Sequence, residues 1–374
     1  MAGLYIHIPF CKQACHYCDF HFSTNLDVRQ RLILAIAKEL NMQAPYLRGE
    51  LIETIYFGGG TPSLLSSREL EVIFNAIHTN FTLANGVEIT LEANPDDLSR
   101  GKLVELNQLS INRLSIGIQS FQDATLQFFN RAHNSKQAIA CIPLAREAGF
   151  YNLSIDLIYG VPGQNPDRWK EDLHQVMEFN PEHISAYSLT IEDKTTFGNW
   201  LKKGTIKAID ENESAADFEL LIDTLTSQGF EHYEISNFCK PGLHARHNSS
   251  YWKQTNYLGV GPSAHSYNGH SRQSNISNNH LYIKSIVGGV IPFEEEVLTR
   301  ENKINEYIFT TLRTQWGCDL SYLATYFDYH LQQTSALQLL MDKDLVVLNN
   351  TTALLTLKGK LFADQIASDL FVSQ

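Results

Sequence analysis

The stretch LYIHIPFCKQACHYCDF, residues 4 to 20, runs from an apolar segment straight into three cysteines within eight positions. Residues 4 to 9 have the β-branched and aromatic content of a strand. Cys11, Cys15 and Cys18 then follow as C-x3-C-x2-C. Thiolates bind soft metals, and ligands three and four positions apart on one loop can wrap a compact centre. Spacing alone leaves several centres open. Zinc would recruit His21 as a fourth ligand, although structural zinc sites usually draw on two separated pairs. A ferredoxin cluster asks for four cysteines, and the run stops at three. Three thiolates on an iron-sulfur cubane leave one iron free, which is useful where a substrate or cofactor fills the vacancy. Cys141, Cys239 and Cys318 each stand alone and read as packing residues.

Working outward, the strand before the cysteines is the first of six. TIYF (54 to 57), VEITLEA (87 to 93), INRLSIGIQ (111 to 119), NLSIDLIYG (152 to 160) and HISAYSLT (183 to 190) repeat its character. Helical periodicity lies between them, as in VRQRLILAIAKELNMQA and in SSRELEVIFNAIH, where a serine cap precedes Glu69 by three positions. Such alternation predicts parallel strands with right-handed crossovers. Six units fall short of a closed eight-stranded barrel, so an α/β fold built as an open, partial (β/α)6 barrel is expected over residues 1–200. Residues 201–298 read as a connecting α/β segment, with a helix and a strand over 211–236 and a Gly, His, Asn and Ser-rich loop over 237–271. In 299–374 three helical patterns, a hairpin (DLVVLNN, TALLTL) and a last helix suggest an α+β unit of winged-helix order.

Composition excludes several classes. No apolar run approaches the ~18 to 20 residues that span a bilayer, and no secretory leader is visible, so a cytoplasmic protein is expected. With 41 acidic against 29 basic side chains, net charge −12, nucleic acid is not an expected partner. The winged-helix pattern does not change this, since residues 301–374 carry eight acidic and five basic residues.

Ligands of a parallel barrel bind where strands end. YFGGGTP (56 to 62) follows the second strand, and its glycines would let backbone groups approach a ligand closely. Glu92 and Gln119 end the third and fourth strands. Asp156 lies inside the apolar fifth, where a carboxylate needs a partner. The cysteine spacing, with an aromatic (Tyr17) just before the third cysteine, resembles the signature of radical S-adenosylmethionine (SAM) proteins. That resemblance implies a [4Fe-4S] cluster on Cys11, Cys15 and Cys18 whose open iron chelates SAM. LYIHIPFC, GGGTP, LEANP, IGIQSF, NRAHN and SIDLIYGVPGQ resemble, more narrowly, the oxygen-independent coproporphyrinogen oxidase branch. The resemblance implies SAM contacts at Tyr5, Tyr17, Gly59, Gly60, Thr61, Glu92, Gln119, Arg131 and Asp156.

Two departures weigh against oxidase activity: Phe20 stands where the oxidases carry a fourth cysteine, and the motif begins at residue 11 with no long upstream extension. HNSSYW (247 to 252) is instead similar to the His-Asn-x-x-Tyr-Trp signature of HemW-type haem chaperones. That likeness implies haem as cargo, recipient haem proteins, an electron donor, a possible homodimer and membrane contact only through recipients. His247 would be the axial ligand and Tyr251 part of the flat contact, with His244, His265 and His270 as alternatives.

Overall fold

The computed structural model describes residues 1–372. Its centre is six parallel strands, β1 (Ala2–Ile8), β2 (Ile52–Gly59), β3 (Leu83–Ala93), β4 (Arg113–Gln119), β5 (Leu153–Tyr159) and β6 (His183–Ser188), paired in sequence order. All six lie where the sequence places them. Helices connect them, among them Arg29–Met42 and Ser67–Asn80, the latter closed by a capping box between Ser66 and Glu69.

Alternation along the strands decides what each face does. Leu4, Ile6 and Ile8, Ile55 and Phe57, Ile89 and Leu91, Leu114, Ile116 and Ile118, Leu153, Ile155 and Leu157 are buried in one apolar core. The residues between them are polar and meet one another. Tyr56 hydroxyl donates to Glu92, Ser115 to Asp156, and Ser154 pairs with His183. The sheet therefore has an oily outer face under the helices and a polar inner face.

The sheet does not close on itself. Beyond β6 it continues through β8 (Asn237–Cys239) to β7 (Glu231–Glu234), both antiparallel; beyond β1 it continues through β9 (Tyr257–Val260), β10 (His265–Tyr267), β11 (Ser271–Asn275) and β12 (Phe293–Val297). Segment 237–271, expected as loop, thus holds three short strands, the first residue of a fourth and a helix, Arg246–Trp252. Strands of three to five residues carry no periodic signal of their own; the free edges of the sheet supply their hydrogen bonds. Segment 201–298 accordingly extends the barrel sheet at both edges.

Helices Arg300–Leu312, Leu320–Phe327 and Ser335–Asp342, with β13 (Cys318–Asp319), β14 (Val346–Asn349) and β15 (Thr352–Leu355), form a C-terminal unit around its own core, in the winged-helix order. It is tied to the barrel edge by Ile235 N–H to Arg313 C=O (3.1 Å) and Gln315 N–H to Tyr233 C=O (2.9 Å). Among the described residues no helix is long and apolar enough to cross a membrane.

Candidate functional site

At the carboxyl ends of the strands the polar inner face opens into a cavity of about 580 Å3, lined by Cys11, Cys15 and Cys18 together with Tyr17, Gly59, Gly60, Thr61, Glu92, Gln119, Arg131 and Asp156. All but one of the residues expected at the cofactor are gathered there. Tyr5 is the exception. It lies deeper, its hydroxyl 3.2 Å from His7 Nδ1 and its ring stacked on Tyr56 at 6.1 Å, and it does not line the cavity.

The cysteine loop is placed by its neighbours. Thr61 hydroxyl donates to Cys11 Sγ (3.5 Å) and Arg131 Nη1 to Cys15 Sγ (3.4 Å). Hydrogen bonds of this kind favour thiolate over thiol, while burial first, with the neighbouring Cys15 and Cys11, pushes the Cys18 thiol up to about 11 against the pull of the Phe20 backbone and Arg131. Arg131 does not offer its fork to solvent. It also donates to Tyr17 hydroxyl, Gly117 C=O and Asn94 Oδ1, and its buried Nε has no partner. The glycines serve packing first. A side chain on Gly59 would strike the His7 ring, and one on Gly60 would strike the carbonyls of Ile8 and Phe10. Gly59 N–H donates to Glu92 (3.1 Å) and Gly60 N–H to Ile8 C=O (2.8 Å). Their role is to let the end of β2 close onto the cysteine loop. Gln119 holds φ 67°, where the β4–β5 register slips, and this turns its side chain to the cavity.

Two carboxylates face the cavity. Burial pushes Glu92 up to about 7, helped by the charge of Asp156 and opposed by the Tyr56 and Gly59 donors. Burial also raises Asp156, against the pull of the Ser185 and Ser115 hydroxyls.

The donor set suits a cluster better than one ion. Cys11, Cys15 and Cys18 are not gathered within 4.8 Å of one another, as ligands of a single tetrahedral ion would be. His21, the fourth ligand a zinc site would need, instead bonds Asn279 Oδ1 at 2.8 Å and is absent from the cavity lining. Three thiols with two side-chain donors, an orphaned guanidinium nitrogen and an adjoining cavity that carries polar side chains among apolar walls fit a cubane with a ligand beside it. A bound cluster would supply an open iron and one electron; Cys11, Cys15 and Cys18 are the thiols that would hold it, beside a cavity walled by Glu92, Gln119 and Asp156.

Sequence reasoning missed Tyr56, Asn94, Ser115, Ser185, Tyr187 and Asn248, which also line the cavity. The signal was present for most of them: Thr54 and Tyr56 in β2, Ser115 and Gln119 in β4, and Ser185 and Tyr187 in β6 are polar residues at alternate positions of largely apolar strands.

HNSSYW, expected within a loop to offer an axial ligand at His247 and a flat contact at Tyr251, is helical instead. It forms the helix Arg246–Trp252 at the amino ends of the strands, where it floors the barrel. His247 is buried at 1% exposure. Its Nδ1 pairs with Thr54 hydroxyl (2.8 Å), its Nε2 with Tyr251 hydroxyl (2.9 Å), and its ring stacks on Tyr56 at 5.0 Å. Neither ring nitrogen is free in this conformation, and Tyr251 packs edge-on against Tyr257.

This fold and this cysteine-lined cavity define a radical SAM protein, and residues 5–176 match the Radical SAM superfamily. The solved structure of coproporphyrinogen III oxidase (HemN) from Escherichia coli superposes with a TM-score of 0.85, over 99% of this chain and 90% of that one, at 24% identity, a likeness of fold. The heme chaperone HemW of Bacillus subtilis is 35% identical over 98% of both chains. That of Escherichia coli is 36% identical over 70% of this chain and 69% of its own. The chain belongs to the HemW family.

Proposed function

We propose that this protein is a haem chaperone that holds a [4Fe-4S] cluster and SAM, binds haem, and delivers it to acceptor haem proteins. The observation that carries the reading is likeness to a HemW over 98% of both chains, in a chain with Phe20 in place of a fourth cysteine and HNSSYW at 247–252. Cys11, Cys15 and Cys18 would hold the cluster, and Gly59, Gly60, Thr61, Glu92, Gln119, Arg131 and Asp156 would surround SAM. Haem would meet the helix Arg246–Trp252, with His247 swung out of the floor as its axial ligand. The unit boundaries we propose are 1–200, 201–298 and 299–374, and the electron donor and recipients act from outside the chain.

The test uses anaerobically reconstituted protein. Haem titration is expected to give a saturable complex, and incubation with reductant, SAM and coproporphyrinogen III no vinyl product. Vinyl product without a stable haem complex would overturn the reading in favour of the oxidase.

SAM binding should follow Glu92. The sulfonium and ammonium of SAM outweigh its single carboxylate, so the ligand is attracted to ionised Glu92. Glu92 is ionised above about 7, so affinity should rise with pH through that value. Glu92→Gln should weaken SAM binding by about 10-fold or more at pH 8 and flatten the profile, read by calorimetry on cluster-loaded protein. An unchanged profile in that variant would remove Glu92 from the SAM site.

A further inference from the structure

Cys239 reads in sequence as an isolated packing residue. In the fold it lies directly opposite Glu231 in the antiparallel β7–β8 pair, and residues so opposed project to one face. The turn that follows brings a third donor over them. Gly242 sits at φ 78°, Leu243 N–H closes onto Lys240 C=O at 2.9 Å, and His244 folds back until its Nε2 is 2.9 Å from Glu231 Oε2. The ligating atoms of the three residues all lie within 4.8 Å of one another, and no other such group of three or more His, Cys, Asp or Glu exists among the described residues.

We propose that Glu231, Cys239 and His244 bind one divalent cation of the zinc type, at a site separate from the cysteine loop. A mixed sulfur, nitrogen and oxygen set is the choice of a borderline-soft ion with tetrahedral preference. Charge agrees with this, since one carboxylate and one thiolate neutralise a dication beside a neutral imidazole. Access agrees as well. The thiol is fully buried, while the side chains of His244 and Glu231 are 26% and 35% exposed, so the ion enters from one side and keeps a position there for water. The imidazole is already oriented: its ring stands edge-on to Tyr233 at 4.8 Å and beside Trp316 at 5.7 Å. On binding, the ion takes the place of the thiol proton, which leaves to solvent, and of the His244–Glu231 hydrogen bond; nothing is oxidised or reduced.

Position gives the site its use. It joins the outer edge of the sheet to the turn leading into the floor helix Arg246–Trp252, on the strand β7 whose Tyr233, with Ile235 just after it, bonds the C-terminal unit. The ion would clasp these three parts together.

Cobalt(II) is the probe, because a cobalt thiolate shows a charge-transfer band that water and carboxylate ligands do not. Full-length protein with its cluster already loaded should take up one equivalent with that band. Cys239→Ser should abolish the band, and Glu231→Gln and His244→Ala should each weaken uptake by about 10-fold or more. Cys141→Ser, buried elsewhere, should leave it unchanged. Zinc should displace the cobalt. Circular dichroism and cluster absorbance report whether each variant is folded; should Cys239→Ser unfold, the near-isosteric Glu231→Gln decides. Absence of the band in the parent protein, its survival in Cys239→Ser, or undiminished uptake by Glu231→Gln sinks the proposal. None of these readings depends on haem.

Discussion

Cys15→Ala is expected to come off anaerobic reconstitution colourless, with iron falling from about four per chain to a small fraction, and with the barrel still folded. The loss should be nearly complete because the site offers three protein ligands and no spare. The fold should survive because backbone bonds, and not the thiols, hold the loop. Cys11 N–H donates to Ser23 C=O (3.1 Å), His16 N–H to Phe129 C=O (3.0 Å), and Phe197 N–H to His16 C=O (3.0 Å). Asn130 Nδ2 donates to Ala14 C=O at 2.8 Å, and the His16 ring lies edge-on to Trp200 at 4.6 Å. Removing one Sγ touches none of these. Visible absorption and iron analysis measure the first half of the expectation, and circular dichroism the second. A variant with full brown colour would show that Cys15 is not a ligand, and the three-cysteine centre would have to be abandoned.

The six strands and the cysteine loop were legible because each is a local signal: an apolar run, a spacing, a serine three residues before a glutamate. What was not legible depends on pairing partners distant in sequence. His244 follows Cys239 by five positions, a spacing that marks no site by itself; the β7–β8 register sets Glu231 opposite Cys239, and the turn after β8 brings His244 over the pair. Asn248 reaches the cavity only because a seven-residue helix enters from the amino ends of the strands. HNSSYW carries histidine, asparagine and two serines, the composition of a solvated loop, and its burial follows from the space inside an open barrel with polar walls. Thr54 and Glu88 meet that helix with hydrogen-bonding groups and Tyr56 with its ring, so the His247 ring and the first backbone N–H groups are paired in the floor, while the Ser249 hydroxyl and Trp252 Nε1 are buried without a partner. The Gly59 and Gly60 pair shows the reverse case. Sequence identified a close approach correctly, but the approaching group is the cysteine loop and the His7 ring as much as any ligand.

His247→Ala should cost the folded protein about 3 to 5 kcal/mol, as a lower urea midpoint, because it opens a void in the barrel floor and strands the hydroxyls of Thr54 and Tyr251. The pH dependence has a definite sign. Burial holds His247 down to about 3, whereas the unfolded chain protonates near 6.5. Its contribution is therefore fully present above about 6.5 and is lost as pH falls toward 3, at up to ~1.4 kcal/mol per pH unit. His247→Ala should lose that share of the acid sensitivity. The same packing sets the terms for haem. In the proposed haem site, a ring nitrogen that had to leave Thr54 and Tyr251 before meeting iron would bind with an affinity reduced by the cost of opening, and the grip would be weak enough to release cargo. Thr54→Val removes the partner of Nδ1 in the closed floor with little change in shape. Opening then becomes easier by about 1 kcal/mol, and haem affinity should rise about fivefold. Tighter binding in Thr54→Val together with lost binding in His247→Ala is the expected pair of results; unchanged or weaker haem binding in Thr54→Val would take His247 out of the haem site.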